Sequence, residues 1–301
     1  MTAQASSSTP KMAPTFRISR YSSYMLLIPG LILSVIFLVL PLAIMVVVSL
    51  YTTAPSSTGY LPIFTVENYI AFFTSPQTSV LLFNTFSLAF IAAITCFIFG
   101  FPLAYFLTFH IKSATFKNYV ITLLIVPFLI DWSIRTVAWI AILGKGGIIN
   151  FSLMSLGLIK EPLEALLFSR NTLYIIWLQT YVVFMEFPIY LAMNRIDPDL
   201  ISAAKVLKAP PLRVVYDIVF RLSLPGIMAG FIFVFVSTLG DFITPNLWAG
   251  GVQTLGFSIS RYAANFLWPY ASVLSTMLLI IALVIMYVAF KVVNIKKLFY
   301  E

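Results

Sequence analysis

The sequence predicts an all-α integral membrane protein of six spans, and three observations carry that prediction. Its 301 residues are 61% hydrophobic and only 9% charged, with a mean hydropathy of +1.01, whereas soluble domains carry roughly a quarter charged residues. Apolar runs recur at lengths near the ~20 residues that one crossing requires, which leaves no segment for a separate soluble catalytic domain. The 18 Lys and Arg residues gather at alternate borders of those runs, following the positive-inside bias of membrane proteins.

Residues 1–23 form a polar, basic, Ser/Thr-rich tail. The run at 24–50 is too long for a signal-peptide core and lacks a small-residue cleavage site, so it reads as a retained first span, bent at Pro29 or Pro41. A polar loop extends to about residue 79. The second span covers 82–107, the basic HIKSATFK (110–117) turns the chain, and the third span covers 119–143 before the flexible GKGG at 144–147. Residues 148–170 read as a mixed loop with an interfacial helix around EPLEALLF (161–168). The fourth span is 173–193, and the fifth and sixth are 223–242 and 268–292. Residues 24–293 thus form one transmembrane domain, with a polar insert at 194–221 and a short tail at 294–301.

Thirteen basic residues fall on one side: three in the N-terminal tail, Lys112 and Lys117, five in the insert, and three near the C-terminus. Lys145, Lys160, Arg170 and Arg261 fall on the other side. That imbalance predicts a multi-pass membrane protein with both termini in the cytoplasm. The net charge of +8 therefore belongs to membrane borders, not to nucleic-acid binding. Trp139, Trp248 and Trp268, with Tyr24 and Tyr51, sit near span ends as an aromatic belt would. The single cysteine, Cys96, can form neither an internal disulfide nor a metal site and reads as packing. His110 reads as interfacial, and GKGG lacks the rest of a phosphate-binding loop, so this chain is expected to bind neither a metal nor ATP. Asn84 and Asn171, each near the start of a span, read as partners for helix-end backbone groups.

The insert is long for a connection between spans. Within it Asp197 can cap a short helix, Pro198 suits its first turn, and Pro210 and Pro211 stop it. Leu200, Ala203, Ala204 and Leu207 then give a small apolar face, with Lys205 and Lys208 on the rim. Either the helix covers the base of the bundle or it docks a partner; a rigid helix between two spans can transmit a push to both. A second amphipathic piece, LRVVYDIVFRLSLPG, leads back into the membrane, with Pro225 and Gly226 at the membrane entry.

This segment resembles the coupling loop of the permease subunits of binding-protein-dependent ABC importers, particularly the polyamine branch. That loop reads Glu-Ala-Ala, three residues, Gly, nine residues, Ile, one residue, Leu-Pro. Here the matching positions are Ser202-Ala203-Ala204, Lys208, Ile218 and Phe220-Arg221; both alanines, the isoleucine and the spacing are kept, while the Glu, Gly and Leu-Pro are not. RIDPDL, LSLPGIMAG, PFLIDWSIRTVAWIAILGKGGIIN and LGDFITPNLWAGG are similar to the same branch. The resemblance implies a six-span type I (MetI-like) permease fold with a cytoplasmic coupling helix between spans 4 and 5. It implies a second related permease, two cytoplasmic ATPase subunits that hold ATP and Mg2+, and an extracytoplasmic solute-binding protein. It places Ser202, Ala203, Ala204, Leu207 and Lys208 at the ATPase, with no catalytic residue and no cofactor in this chain.

Asp131, Arg135, Glu186 and Asp241 lie in spans or at their ends, where a charge is costly unless it faces a bundle interior or an aqueous path. Asp131 and Arg135 are four apart and can pair on one helix face; Glu186 can face a cavity or a neighbouring helix. Asp241, between Gly240 and Pro245, suggests a broken helix end. With Trp132, Tyr181 and Trp248 available for cation–π contact, these acids form a candidate translocation path for a small cation such as putrescine or spermidine. An ion-coupled secondary transporter or a non-transporting membrane scaffold are the competing classes, separable by energy dependence and by cargo movement.

Overall fold

The computed structural model describes residues 28–54, 59–163, 169–248 and 250–292. Six helical segments have the length and composition to cross a membrane: Ile28–Ser49, Pro76–Phe109, Trp132–Ser155, Arg170–Met193, Pro211–Gly240 and Trp268–Ala289. The chain divides into two compact units, Met1–Val47 and Val48–Glu301. In the first, the helix contains a π turn at Val35–Val39, just before Pro41. A π turn widens the ladder where the proline ring would otherwise strike the preceding turn, so the expected irregularity takes this form.

In the second unit, the expected polar loop up to residue 79 is more ordered than its composition suggests. Tyr51–Thr53 and Tyr60–Phe64 pair antiparallel, a helix follows at Glu67–Thr74, and the second span begins already at Pro76. Asn68 donates from its amide to the Tyr51 carbonyl at 2.8 Å, which fixes that helix to the ribbon. The third span also departs from expectation. In place of one run over 119–143, a helix at Ala114–Ile125 leads through a 3-10 turn at Val126–Leu129 into extended backbone at Ile130, and helix resumes at Trp132. Pro127 supplies no N–H to the ladder, and Asp131 caps the next helix by accepting from the Ser133 N–H at 2.8 Å. The anticipated interfacial helix around 161–168 falls mostly at residues 164–168, outside the described residues.

The core is built by the second, fourth and fifth spans. Leu88, Ala92, Ala93, Cys96 and Ala104 pack with Ile176, Trp177, Met185, Ile189 and Met193 and with Ile227 and Val234. Cys96 is fully buried, its thiol 3.9 Å from the Trp177 carbonyl. The fourth and fifth spans approach most closely through Gly226 and Gly230. A Cβ on Gly226 would strike the Pro188 carbonyl, and one on Gly230 would lie 2.8 Å from the Met185 carbonyl. Small residues four apart permit this contact, and in lipid such backbone packing holds helices together. A smaller cluster of Phe72, Leu81, Leu255, Val273 and Leu274 ties the sixth span to the helices Glu67–Thr74 and Leu255–Ala264.

Polar side chains close the connections between helices. Asn84 donates to the Gln253 carbonyl at 3.1 Å and accepts from Arg170 at 3.3 Å, while the Leu255 N–H donates to the Thr85 hydroxyl at 2.9 Å. Asn84 therefore satisfies the backbone of a distant segment rather than its own helix end.

Candidate functional site

The insert folds as the helix Pro198–Val206, capped by Asp197, whose carboxylate accepts from the Asp199 N–H at 2.9 Å. Asp199 in the first turn and Lys205 in the last complement the helix dipole. The helix ends in a Schellman turn: Ala209 N–H donates to the Ala204 carbonyl at 3.0 Å and Lys208 N–H to the Lys205 carbonyl at 2.9 Å. Lys208 occupies the left-handed position of that turn, with φ of 55°. The turn geometry explains why a glycine suits this place, and Lys208 adopts the same backbone at a steric cost.

The helix presents two faces. Ile201 turns toward the core of the bundle and Ala204 is half-buried, whereas Ala203, Val206 and Leu207 are exposed, the last two 82% and 81%. Leu212, just beyond Pro211, is 84% exposed and extends this outward apolar row. The face anticipated from Leu200, Ala203, Ala204 and Leu207 is thus rotated toward Val206 and Leu212. Ser202 borders a cavity beneath the helix, and its hydroxyl donates to the Pro198 carbonyl at 3.0 Å. Pro211–Gly240 is one long segment carrying a π turn at Val215–Phe220, so the helix of the fifth span starts within the insert, well before residue 223.

At the break in the third span, Asp131, Trp132, Arg135, Thr180, Tyr181 and Ser237 line an open cavity of about 380 Å3. The interrupted helix opens this space, and the fourth and fifth spans close its other sides. Asp131 is exposed, while Tyr181 is 8% exposed. Behind Tyr181 lies Asp241, 3% exposed, whose Oδ2 accepts from the Trp177 indole at 2.7 Å and from the Tyr181 hydroxyl at 3.4 Å. Its Oδ1 accepts from the Thr244 N–H at 3.0 Å and so caps the short helix Ile243–Trp248. Asp241 is therefore a hydrogen-bonded hub between the fourth span and the broken end of the fifth.

Trp248 does not sit in an aromatic belt. It is 1% exposed and donates to the Thr136 carbonyl at 3.2 Å, because the helix carrying it folds back against the third span. Trp139 is half-buried, Trp268 is 41% exposed, and Tyr24 lies outside the described residues. Glu186 stands apart from the cavity: it is 3% exposed among Leu107, Ile121, Leu124 and Phe187, and its Oε2 has no hydrogen-bond partner. Sequence reasoning missed Trp177, although its place one turn before Tyr181 was a usable signal. Arg135, read first as half of an ion pair, also lines the cavity.

Six helices long and apolar enough to cross a membrane, an exposed insert helix and a cavity at a broken span describe a polytopic membrane protein. Residues 96–297 match the family described as binding-protein-dependent transport system inner membrane component, and the chain belongs to that family. It is 29% identical to the spermidine/putrescine transport system permease protein PotB of Haemophilus influenzae over 87% of this chain and 92% of that protein. It is 30% identical to the inner membrane ABC transporter permease protein YdcU of Escherichia coli over 65% of this chain and 66% of the relative. Among solved structures, a bacterial ABC transporter involved in the import of alginate has a chain with TM-score 0.68 and 20% identity, covering 91% of this chain and 95% of its own. A chain of the MetNI methionine ABC transporter gives TM-score 0.53 at 17% identity, over 73% and 98%. The chain is thus a multi-pass membrane permease subunit of the ABC-importer type with a MetI-like fold.

Proposed function

We propose that this chain is one of two related permeases in an ATP-driven importer of a small cationic amine of the polyamine class. The observation that carries the reading is the cavity at the third-span break, where Asp131 stands beside the Trp132 and Tyr181 rings. A carboxylate with aromatic faces suits an alkylammonium group, since both attract a partly desolvated cation. The similarity to the spermidine/putrescine permease over most of both chains supports the same solute class. Asp131, Trp132 and Tyr181 face the solute, Asp241 and Trp248 hold the wall behind them, and Glu186 lies further along the path toward the insert.

Both termini and the insert at 194–221 face the cytoplasm, as the distribution of Lys and Arg supports. There the helix Pro198–Val206, with Ser202, Ala203, Ala204, Leu207 and Lys208, docks onto one of two ATPase subunits. ATP and Mg2+ belong to those subunits. A solute-binding protein delivers cargo to the opposite face, and residues 24–293 constitute the permease domain between two short tails.

The test is uptake of labelled putrescine and spermidine into proteoliposomes holding the native complex. Saturable uptake that requires ATP and falls when Asp131 and Asp241 are neutralised is expected. Unchanged uptake after neutralising Asp131, Glu186 and Asp241 would overturn the path assignment, and uptake by this chain alone under an ion gradient would overturn the importer assignment.

A further inference from the structure

Between the helix Pro198–Val206 and the ends of the second and fourth spans lies a second cavity, of about 460 Å3. Its lining is mixed: Met193, Ile196, Ile201, Val214 and Val219 are apolar, while Tyr105, His110, Asn194 and Lys205 bring polar or basic side chains. The hydroxyls of Thr108 and Ser202 also border the space but donate to the Ala104 and Pro198 carbonyls of their own helices.

Among the described residues no carboxylate lines this cavity. Asp197 and Asp199 both adjoin its lining residue Pro198, but Asp197 turns its carboxylate to the Asp199 N–H at the helix start and Asp199 is exposed. Among the described residues no hydrogen bond or ion pair engages the side chains of Tyr105, Asn194 or Lys205, and His110 makes ring contacts with Tyr105 and Phe106. Donors and a fixed positive charge without a carboxylate to neutralise it favour an anionic oxygen ligand.

We propose that this cavity binds a phosphate ester, held by Lys205 and Tyr105 with Asn194 and His110 beside it. The ligand is a headgroup phosphate of an anionic lipid or a free phosphate. Apolar residues lining the same cavity as the donors suit the lipid, and basic pockets at the cytoplasmic border of a helix bundle attract anionic headgroups. A bound phosphate joins the end of the second span, through Tyr105 and His110, to Lys205 on the docking helix. Its consequence, which rests on the docking role proposed above, is that occupancy braces this helix against the bundle while its outward face meets the partner.

The full chain in nanodiscs of mixed phosphatidylglycerol and phosphatidylcholine tests the binding directly, with lipids retained on release read by native mass spectrometry. Inorganic phosphate is titrated separately and followed by 31P line broadening. Retention of phosphatidylglycerol over phosphatidylcholine is expected, weakened about 10-fold by Lys205→Gln and in the same direction by Tyr105→Phe, on the scale of one charge-assisted hydrogen bond. Lys112→Gln, a basic change outside the cavity, is expected to leave retention unchanged.

Inorganic phosphate binding that is lost in Lys205→Gln, without lipid selectivity, supports the site with free phosphate as its ligand. The proposal is overturned if neither probe binds, if Lys205→Gln and Tyr105→Phe leave both affinities unchanged, or if Lys112→Gln weakens retention equally. Because binding is read without ATPase or solute, such a failure leaves the importer assignment standing; failed ATPase association with intact lipid retention would do the reverse.

Discussion

The Trp177 indole N–H donates to Oδ2 of Asp241 across 2.7 Å, joining the middle of the fourth span to the residue that ends the fifth. Both groups are buried, at 1% and 3% exposure. Removing one partner strands the other, at about 1–3 kcal/mol. Trp177→Phe and Asp241→Leu are each expected to lower the unfolding midpoint of the purified complex, and the double variant to lose less than the sum. Additive losses would show that the two side chains are not coupled.

Tyr181 separates the positioning role of Asp241 from contact with cargo, because it both lines the cavity and reaches Asp241. Trp177→Phe is expected to leave the saturation of amine uptake near that of the parent protein. Asp131→Asn should weaken apparent affinity on the order of 10-fold, about 1.4 kcal/mol, with little change in thermal midpoint. Equal effects of the two variants on both readouts would contradict this division.

Lys208 bears the left-handed backbone that closes the helix Pro198–Val206. Lys208→Gly removes the Cβ conflict and should stabilise the turn by about 0.5–1 kcal/mol after its larger unfolded-state entropy is counted. Lys208→Val should do the opposite. Hydrogen exchange at the amides of Lys208 and Ala209, which close the turn, is expected to slow a few-fold in the first and to accelerate in the second.

Val206, Leu207 and Leu212 expose more than four-fifths of their area. Burying one such leucine contributes about 1.5–3 kcal/mol. Leu207→Ser should therefore weaken ATPase association about 10- to 100-fold, and Ala203→Trp should obstruct it, with membrane insertion unchanged. Normal association of both variants, measured by co-purification across a dilution series, would remove the docking face.

Gly230 packs with its Cα against the Met185 backbone. Gly230→Leu is expected to separate the fourth and fifth spans and to destabilise the bundle by at least the 1–3 kcal/mol typical of overpacking. The yield of folded protein in detergent checks this, with Gly146→Ala as the control because a Cβ there meets nothing within 4 Å.

Much of the fold is legible along the chain. Span number follows from runs of apolar residues, and the helix of the insert from Asp197, Pro198 and the prolines at 210 and 211, since caps and breakers act on neighbours within a turn. Asp131 was visible as a charge in an apolar run. Its companions were partly visible: Trp132 and Tyr181 as aromatics near acids, Arg135 as a partner four residues on. The break at Ile130 was not read, although Pro127 and the Asp131–Ser133 cap encode it locally.

Sequence information ran out where faces had to be chosen. A helix apolar on all sides has no polar stripe to say which residues meet a neighbour. Hence Trp248 looked like a belt residue but donates to Thr136, and Trp177 went unnoticed although it anchors Asp241. Composition and local capping decide what each segment is, because water, lipid and the adjacent backbone act on every residue alike. The pairing of Trp177 with Asp241 and the close contact at Gly226 and Gly230 were settled by which surfaces pack together. Those choices depend on long-range shape complementarity, which hydropathy does not encode.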